Sequence, residues 1–175
     1  MSEAKLDKEL LANVEGIVQK VVSGKSTLQI ELGITDKELE AVYAIGYTQY
    51  VNGKYEDAKK TFSILMMFNP LNYKYCFSLA SAFKMLNDLE TASLFYLFSC
   101  SLDPENPEPH LQLAECLVQL DDLIGAKENF ERAIQIAGDK EAYTAVKNRA
   151  KMLLEGVEAK LKELEDSQDS QEPQN

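Results

Sequence analysis

The sequence is poor in the residues from which catalytic and metal sites are built. It has one histidine, His110, and its three cysteines, Cys76, Cys100 and Cys116, form no CxxC pair. No Ser/His/Asp or Cys/His set and no metal-ligand spacing can be assembled from them. We therefore predict a protein that is not an enzyme, needs no cofactor and holds its cysteines as buried, reduced thiols.

Low contents of glycine, proline and basic residues exclude further classes of protein. With 8 glycines and 5 prolines in 175 residues, the chain is neither fibrous nor disordered. Its 18 basic and 29 acidic residues give a net charge of −11, which argues against nucleic acid or an anionic membrane as partner. No uncharged run reaches the roughly 18 residues of a membrane span, and the N-terminus lacks the pattern of a signal peptide. We expect a cytoplasmic protein with no direct membrane insertion.

The segment Ser23-Gly24-Lys25-Ser26-Thr27 resembles part of a phosphate-binding loop. A phosphate loop needs a further glycine five residues before its Gly-Lys pair, where this chain has Gln19, and it follows a strand rather than a helix. We interpret the segment as the end of a helix and a turn.

A pattern of small and aromatic residues recurs every 34 residues. Ala58 is followed at this interval by Ala92 and Ala126, and Phe62 by Tyr96 and Phe130. This period is typical of tetratricopeptide repeats, in which two helices form a hairpin and hairpins stack on one another. We expect small residues where the helices cross, with Gly46 against Ala58, and the large aromatic residues between hairpins.

The repeats predict an all-α fold with three tetratricopeptide helix-turn-helix repeats in a right-handed superhelix. The predicted parts are an N-terminal helix and linker (1–34), three repeats (35–70, 71–104 and 105–138), a C-terminal capping helix (139–164) and an acidic, disordered tail (165–175). Thr35 and Glu38 have the spacing of a capping box at the start of the first repeat. In the last helix we expect the apolar residues to face the preceding hairpin, namely Ala142, Val146, Met152, Leu153 and Val157.

Residues 3–22 form a predicted amphipathic helix whose apolar face must be buried. That face either caps the repeats or forms a dimer interface, and the residues alone leave both options open. Its main positions are Leu6, Leu10, Val14, Ile17 and Val21.

The first helix of each repeat is expected to line a concave surface with its second, fifth, ninth and twelfth positions. In the first repeat these positions include three tyrosines, a combination suited to holding an extended peptide. The candidate groove residues are Tyr43, Tyr47, Tyr50, Lys74, Phe77, Ser81, Lys84 and Leu111. A carboxylate clamp for acidic C-terminal tails is excluded, because it needs Lys and Asn where Tyr43 and Tyr47 stand.

The chain resembles the class II chaperones of bacterial type III secretion, which keep two hydrophobic translocator proteins soluble before export. The resemblance covers nearly the whole chain and rests on the first repeat, LEAVYAIGYTQYVNGKYEDAKKTF, on the sequence AECL at 114–117 and on the N-terminal helix. The acidic tail and the polar linker segment Gln29-Ile30-Glu31 depart from the family.

The resemblance implies a cytoplasmic, ATP-independent chaperone in a Gram-negative bacterium. It would bind an extended apolar segment of a translocator, with Tyr43, Tyr47 and Tyr50 lining the pockets and Phe77 beside them. It also favours a homodimer formed through the N-terminal region. The alternative is a general tetratricopeptide scaffold that bridges cytoplasmic partners.

Overall fold

The apolar periodicity of the sequence produces an all-helical chain. In the computed structural model, residues 3–169 are described, with side chains from Leu10 to Ser167, and these residues contain no strand. The helices are α1 (Glu3–Val22), α2 (Leu28–Glu31), α3 (Asp36–Val51), α4 (Tyr55–Phe68), α5 (Tyr73–Met85), α6 (Leu89–Leu102), α7 (Glu108–Gln119), α8 (Leu123–Ala137) and α9 (Thr144–Asp169), with a 3-10 helix at Glu141–Tyr143. Contacts divide the chain into two units, one up to Tyr75 and one from Cys76 onwards. Over residues 3–169 no helix combines the length and apolarity needed to cross a membrane.

The turn within each hairpin contains one residue in the left-handed region, and the three such residues are 34 positions apart. They are Gly53, Asn87 and Asp121, with φ of 74°, 61° and 60°. Glycine, asparagine and aspartate are the residues that adopt this conformation at least cost. The same backbone geometry therefore explains why three different residue types occupy equivalent turns.

Side-chain caps fix where several helices begin. The predicted capping box is confirmed: the Thr35 side chain accepts from the Glu38 backbone N–H, and Glu38 accepts from the Thr35 backbone N–H at 2.8 Å. Asp88 caps α6 by accepting from the Thr91 N–H, and Asp122 caps α8 by accepting from the Gly125 N–H. Each cap satisfies a backbone donor that has no partner within the helix.

The first unit is built around the close approach of α3 and α4. Phe62 is buried, as predicted, and a Cβ placed on Gly46 would lie 2.7 Å from its Cε1 atom and 3.0 Å from Thr61 Cγ2. The requirement for a small residue at Gly46 is therefore confirmed, but the closest atoms belong to Phe62 and Thr61 rather than to Ala58. The aromatic ring itself packs into the space that glycine leaves.

The polar linker has a structural explanation. Gln29 in α2 is buried, its Nε2 donates to Asp36 Oδ1 at 2.6 Å, and its Oε1 accepts from Asn69 Nδ2 at 3.0 Å. It thus ties the linker to the start of α3 and to the residue after α4. Lys20 binds Glu31 at 2.8 Å and so joins α1 to α2, and this hydrogen bond lowers the pKa of Glu31.

The second unit contains two clusters of buried residues. One joins α5, α6 and α7 and includes Ala80, Ala92 and Tyr96. The other joins α7, α8 and α9 and includes Ala126, Phe130 and Ala150. Tyr96 and Phe130 are thus core residues, as the 34-residue pattern predicts.

The C-terminal helix differs from the prediction in its bounds and in its buried face. It begins at Thr144 and continues to Asp169, so residues 165–169 are helical rather than disordered, while 170–175 lie outside the described residues. Val157 is buried as expected, but Ala142 and Met152 are exposed. The expectation that these two residues face the preceding hairpin is wrong.

The substitution Gly46→Ala should destabilise the protein by about 1–3 kcal/mol, because the added methyl group overlaps the buried Phe62 ring and forces the surrounding core to shift. Urea unfolding followed by circular dichroism measures the change in the free energy of unfolding.

Gly156→Ala is the matched control, because a Cβ at that helical position meets nothing within 4 Å. Here alanine should stabilise the helix by about 0.5–1 kcal/mol. If Gly46→Ala and Gly156→Ala changed the free energy of unfolding in the same direction and by the same amount, the close contact at Gly46 would be contradicted.

Candidate peptide-binding surface

Three tyrosines follow one another along α3 at positions i, i+4 and i+7. Tyr47 is 55% exposed, whereas Tyr43 and Tyr50 are half-buried. The capping box fixes the start of α3, and Gly46 fixes how closely the helix packs on α4. Together these contacts determine the orientation of α3, in which Tyr47 faces solvent.

Tyr43 connects the core of the first unit to its surface. Its ring centroid lies 5.7 Å from that of Phe62, 6.0 Å from that of Tyr75 and 6.3 Å from that of Tyr47, with which it stacks. Aromatic pairs at these distances are favourable beyond the area they bury. Tyr47 therefore rests on a ring that is itself held by the core.

Sequence analysis did not select Tyr75, although it contacts Tyr43. It is almost completely buried, and burial is the main cause that raises the pKa of its hydroxyl. Tyr75 is at the third position of its repeat, which the set of groove positions does not include. The sequence signal that could have identified Tyr75 was an aromatic residue directly after Lys74.

Lys74 and Glu40 form an ion pair beside the tyrosines. The Lys74 ammonium donates to the two carboxylate oxygens at 2.9 and 3.1 Å and lies 4.6 Å from the centroid of the Tyr43 ring. The hydrogen bond to Glu40 raises the pKa of Lys74. The pair is largely exposed, so it contributes little to stability, but it holds a cation against the face of Tyr43.

Tyr50 is anchored differently. Its ring meets the Tyr55 ring edge-on, with centroids 5.4 Å apart, and burial raises the pKa of its hydroxyl. Tyr55 is itself only half-buried. Tyr50 therefore contributes to packing as well as to the surface, in contrast to Tyr47.

In the second unit, Phe77 and Ser81 are joined to the core through Tyr96. The Phe77 and Tyr96 rings meet edge-on at 5.4 Å. The Tyr96 hydroxyl donates to Ser81 Oγ at 3.1 Å, and Ser81 donates in turn to the Phe77 carbonyl at 2.9 Å. Ser81 thus fixes a buried tyrosine, and both Phe77 and Ser81 remain half-buried.

Lys84 belongs to a polar network that links α5, α7 and α9. Its ammonium donates to Glu115 Oε2 at 2.6 Å and to Gln112 Oε1 at 2.8 Å, and Arg149 Nε donates to Glu115 Oε1 at 2.6 Å. The Lys84 and Glu115 side chains are only 18% and 12% exposed. Short, charge-assisted bonds at such low exposure fix the positions of the Lys84 and Glu115 side chains.

The placement of Leu111 corrects the prediction. It is 2% exposed and belongs to the buried cluster of α7, α8 and α9. The fifth position of the first helix is half-buried at Tyr43 and Phe77, but in α7 it is covered by the core. Leu111 is therefore a packing residue and cannot contact a peptide here.

The cysteines and the histidine occupy structural positions. All three cysteines are free and buried, and burial raises the pKa of each thiol, to about 11 for Cys100. His110 Nδ1 lies 2.9 Å from Asn129 Oδ1, so the ring is hydrogen-bonded within the repeat. Over the described residues no group of histidine, cysteine and carboxylate side chains has the arrangement of a metal site.

Comparison with known proteins points to one family. Residues 107–140 match the tetratricopeptide repeat family. Low calcium response locus protein H of Yersinia pestis is 26% identical over 85% of this chain and 88% of its own. The Yersinia enterocolitica type III secretion chaperone SycD, solved with a peptide of the translocator YopD, has a TM-score of 0.70 and 26% identity over 73% of this chain and 97% of that one. An alternative dimer of SycD is also known.

PcrH of Pseudomonas aeruginosa is more similar in sequence. Its complex with the chaperone binding region of PopD has a TM-score of 0.71 and 34% identity, over 73% of this chain and 96% of that one. The similarity extends through the repeats and is not confined to the single matched repeat. The chain belongs to the family of type III secretion translocator chaperones.

Proposed function

We propose that this chain is a cytoplasmic chaperone that binds an extended apolar segment of a type III translocator and keeps it soluble until export. The observation that carries the proposal is the Tyr47 ring, which is 55% exposed and yet stacked on the anchored ring of Tyr43. An exposed aromatic surface with a rigid base is suited to binding and needs no rearrangement before it does so.

The chemistry of the surface suits an extended apolar segment. Tyrosine rings offer a large contact area and lose little conformational entropy, and their hydroxyl groups can bond to the main chain of a peptide. Lys74 and Glu40 add one cation and one anion at the edge, which limits the region that an apolar side chain can occupy. Tyr43, Tyr47, Tyr50 and Lys74 form the proposed contacts in the first unit, and Phe77, Ser81 and Lys84 those in the second.

The relatives support this choice of partner. PcrH has been solved with the chaperone binding region of PopD and with that of PopB, and SycD with a peptide of YopD. These relatives are chaperones, which favours binding over catalysis and favours the secretion chaperone over a general scaffold. In our proposal the protein uses neither a nucleotide nor a metal, and the export machinery releases the translocator.

We also propose that the chain forms a homodimer through α1. The side chains of Leu10 and Val14 are exposed, and those of Ile17 and Val21 are half-buried, while the Leu6 side chain lies outside the described residues. Within the described residues α1 packs on the four-residue helix α2, which is too short to cover such a face. A second copy would bury it.

The substitution Tyr47→Glu should weaken translocator binding by about thirtyfold or more, because it places a charge where an apolar side chain must be buried. Co-expression with the translocator, followed by affinity purification and measurement of the soluble complex, tests this outcome.

Ile45→Glu provides the control, since Ile45 is on the same helix and equally exposed, at 56%, but on another side of it. It should leave binding unchanged. Tyr50→Glu is less informative, because Tyr50 also packs against Tyr55. If Tyr47→Glu and Ile45→Glu bound the translocator equally well, the proposed surface would be wrong.

For the dimer, the double substitution Leu10→Asp with Val14→Asp should give a folded monomer, because two carboxylates on one face prevent apolar burial. Light scattering measures the mass, and circular dichroism checks that the helices remain. Ile124→Asp, which changes an exposed residue of α8, should leave the mass unchanged. An unchanged mass in the double variant would place the interface elsewhere.

A further inference from the structure

Two ion pairs join residues that are 34 positions apart. Lys74 binds Glu40 at 2.9 Å within the first unit, and Arg149 binds Glu115 at 2.6 Å within the second. A separation of one repeat means that each pair joins equivalent positions of consecutive first helices. The bond between Arg149 and Glu115 therefore places α9 beside α7 in the register that the first helix of a fourth repeat would have.

The packing of α9 agrees with this register. Ala150 and Val157 are buried in the same cluster as Phe130 and Ala133 of α8. In a tetratricopeptide array each first helix packs on the second helix of the preceding repeat, as α7 packs on α6. A helix that only caps the array would bury this side as well. Whether α9 has a further role therefore depends on the residues on its opposite side.

That other side carries residues at the positions that line the binding surface in earlier repeats. Counting 34 residues onwards, Glu115 corresponds to Arg149 and Val118 to Met152. Met152 is 64% exposed and Arg149 is 59% exposed. Other exposed residues of α9 are charged, among them Lys151, Glu155 and Glu158.

Arg149 is positioned in advance for a ligand. Glu115 is 12% exposed and is held from its other oxygen by Lys84 at 2.6 Å, so the carboxylate that orients Arg149 is itself fixed. The bond to Glu115 uses Nε, which leaves the two Nη groups outside this bond, and the Arg149 side chain is 59% exposed. A guanidinium group held by one edge presents its other donors in a fixed direction.

Resting on the proposed function, we propose that α9 is part of the peptide-binding surface of the second unit. Met152 receives an apolar side chain of the bound translocator segment, and the Nη groups of Arg149 donate to a main-chain carbonyl oxygen of the same segment. Methionine suits the first role because its flexible, polarizable side chain adapts to different apolar groups. An extended main chain presents carbonyl oxygens whatever its sequence, which suits the second role.

The test measures binding of the translocator segment that the wild-type chain protects from proteolysis, labelled with a fluorophore and followed by anisotropy. Met152→Glu should weaken binding by about tenfold, because burial of the introduced carboxylate opposes the apolar contact. Arg149→Gln should weaken it by about threefold to tenfold through the loss of charge-assisted donors.

Matched controls come from the second helices. Met67→Glu changes a methionine that is 65% exposed on α4, and Arg132→Gln changes an exposed arginine of α8; both should bind as the wild type does. Thermal unfolding is recorded for every variant, because Arg149→Gln also removes a bond to Glu115. Met152 has no such bond to lose, so its variant keeps the test decisive if Arg149→Gln is destabilised.

The outcomes separate this proposal from the proposed function. If the wild-type chain protects no translocator segment, both proposals fail. If it binds, Tyr47→Glu weakens binding and Met152→Glu binds as the wild type does, then α9 is a cap only and the proposal for α9 is overturned while the function stands. If Met152→Glu and Met67→Glu weakened binding equally, the proposal for α9 would also be overturned, since the added charge alone would then explain the weaker binding.

Discussion

The close approach of α3 to α4 is the constraint on which the first unit and its candidate surface both depend. The absence of a side chain at Gly46 lets the Phe62 ring lie where a Cβ would otherwise be 2.7 Å from it. Tyr43 packs on that ring, and Tyr47 stacks on Tyr43. A contact that specifies the fold therefore also determines the position of the exposed ring, so the core packing and the candidate surface share one row of contacting aromatic side chains.

Features that depend on neighbours in sequence were predictable, because their causes are local. The 34-residue interval places Gly53, Asn87 and Asp121 at the same turn, and each is a residue type that accepts positive φ. The capping box at Thr35 and the span of α1 follow equally from nearby residues. The family resemblance gave the kind of partner, which neither composition nor periodicity indicates.

Exposure was harder to predict, because it depends on the helix that lies alongside. Leu111 occupies a position that is half-buried at Tyr43 and Phe77, yet α8 and α9 enclose it. Met152 was expected to be buried because it is apolar, but its place in the register of α9 leaves it exposed. The role of Gln29 was not predictable either, since its partner Asn69 lies 40 residues away in the sequence.

The exposed apolar groups raise a question of solubility for the chaperone itself. Leu10, Val14 and Tyr47 expose a surface that favours self-association. The net charge of −11 opposes unspecific association, because like charges on two molecules repel over about 8 Å at physiological ionic strength. A partner with a complementary apolar surface gains enough binding free energy to overcome this repulsion. An unspecific contact between two copies of the chain does not. The acidic composition therefore argues against nucleic acid as a partner, and the same repulsion opposes self-association through the exposed aromatic surface.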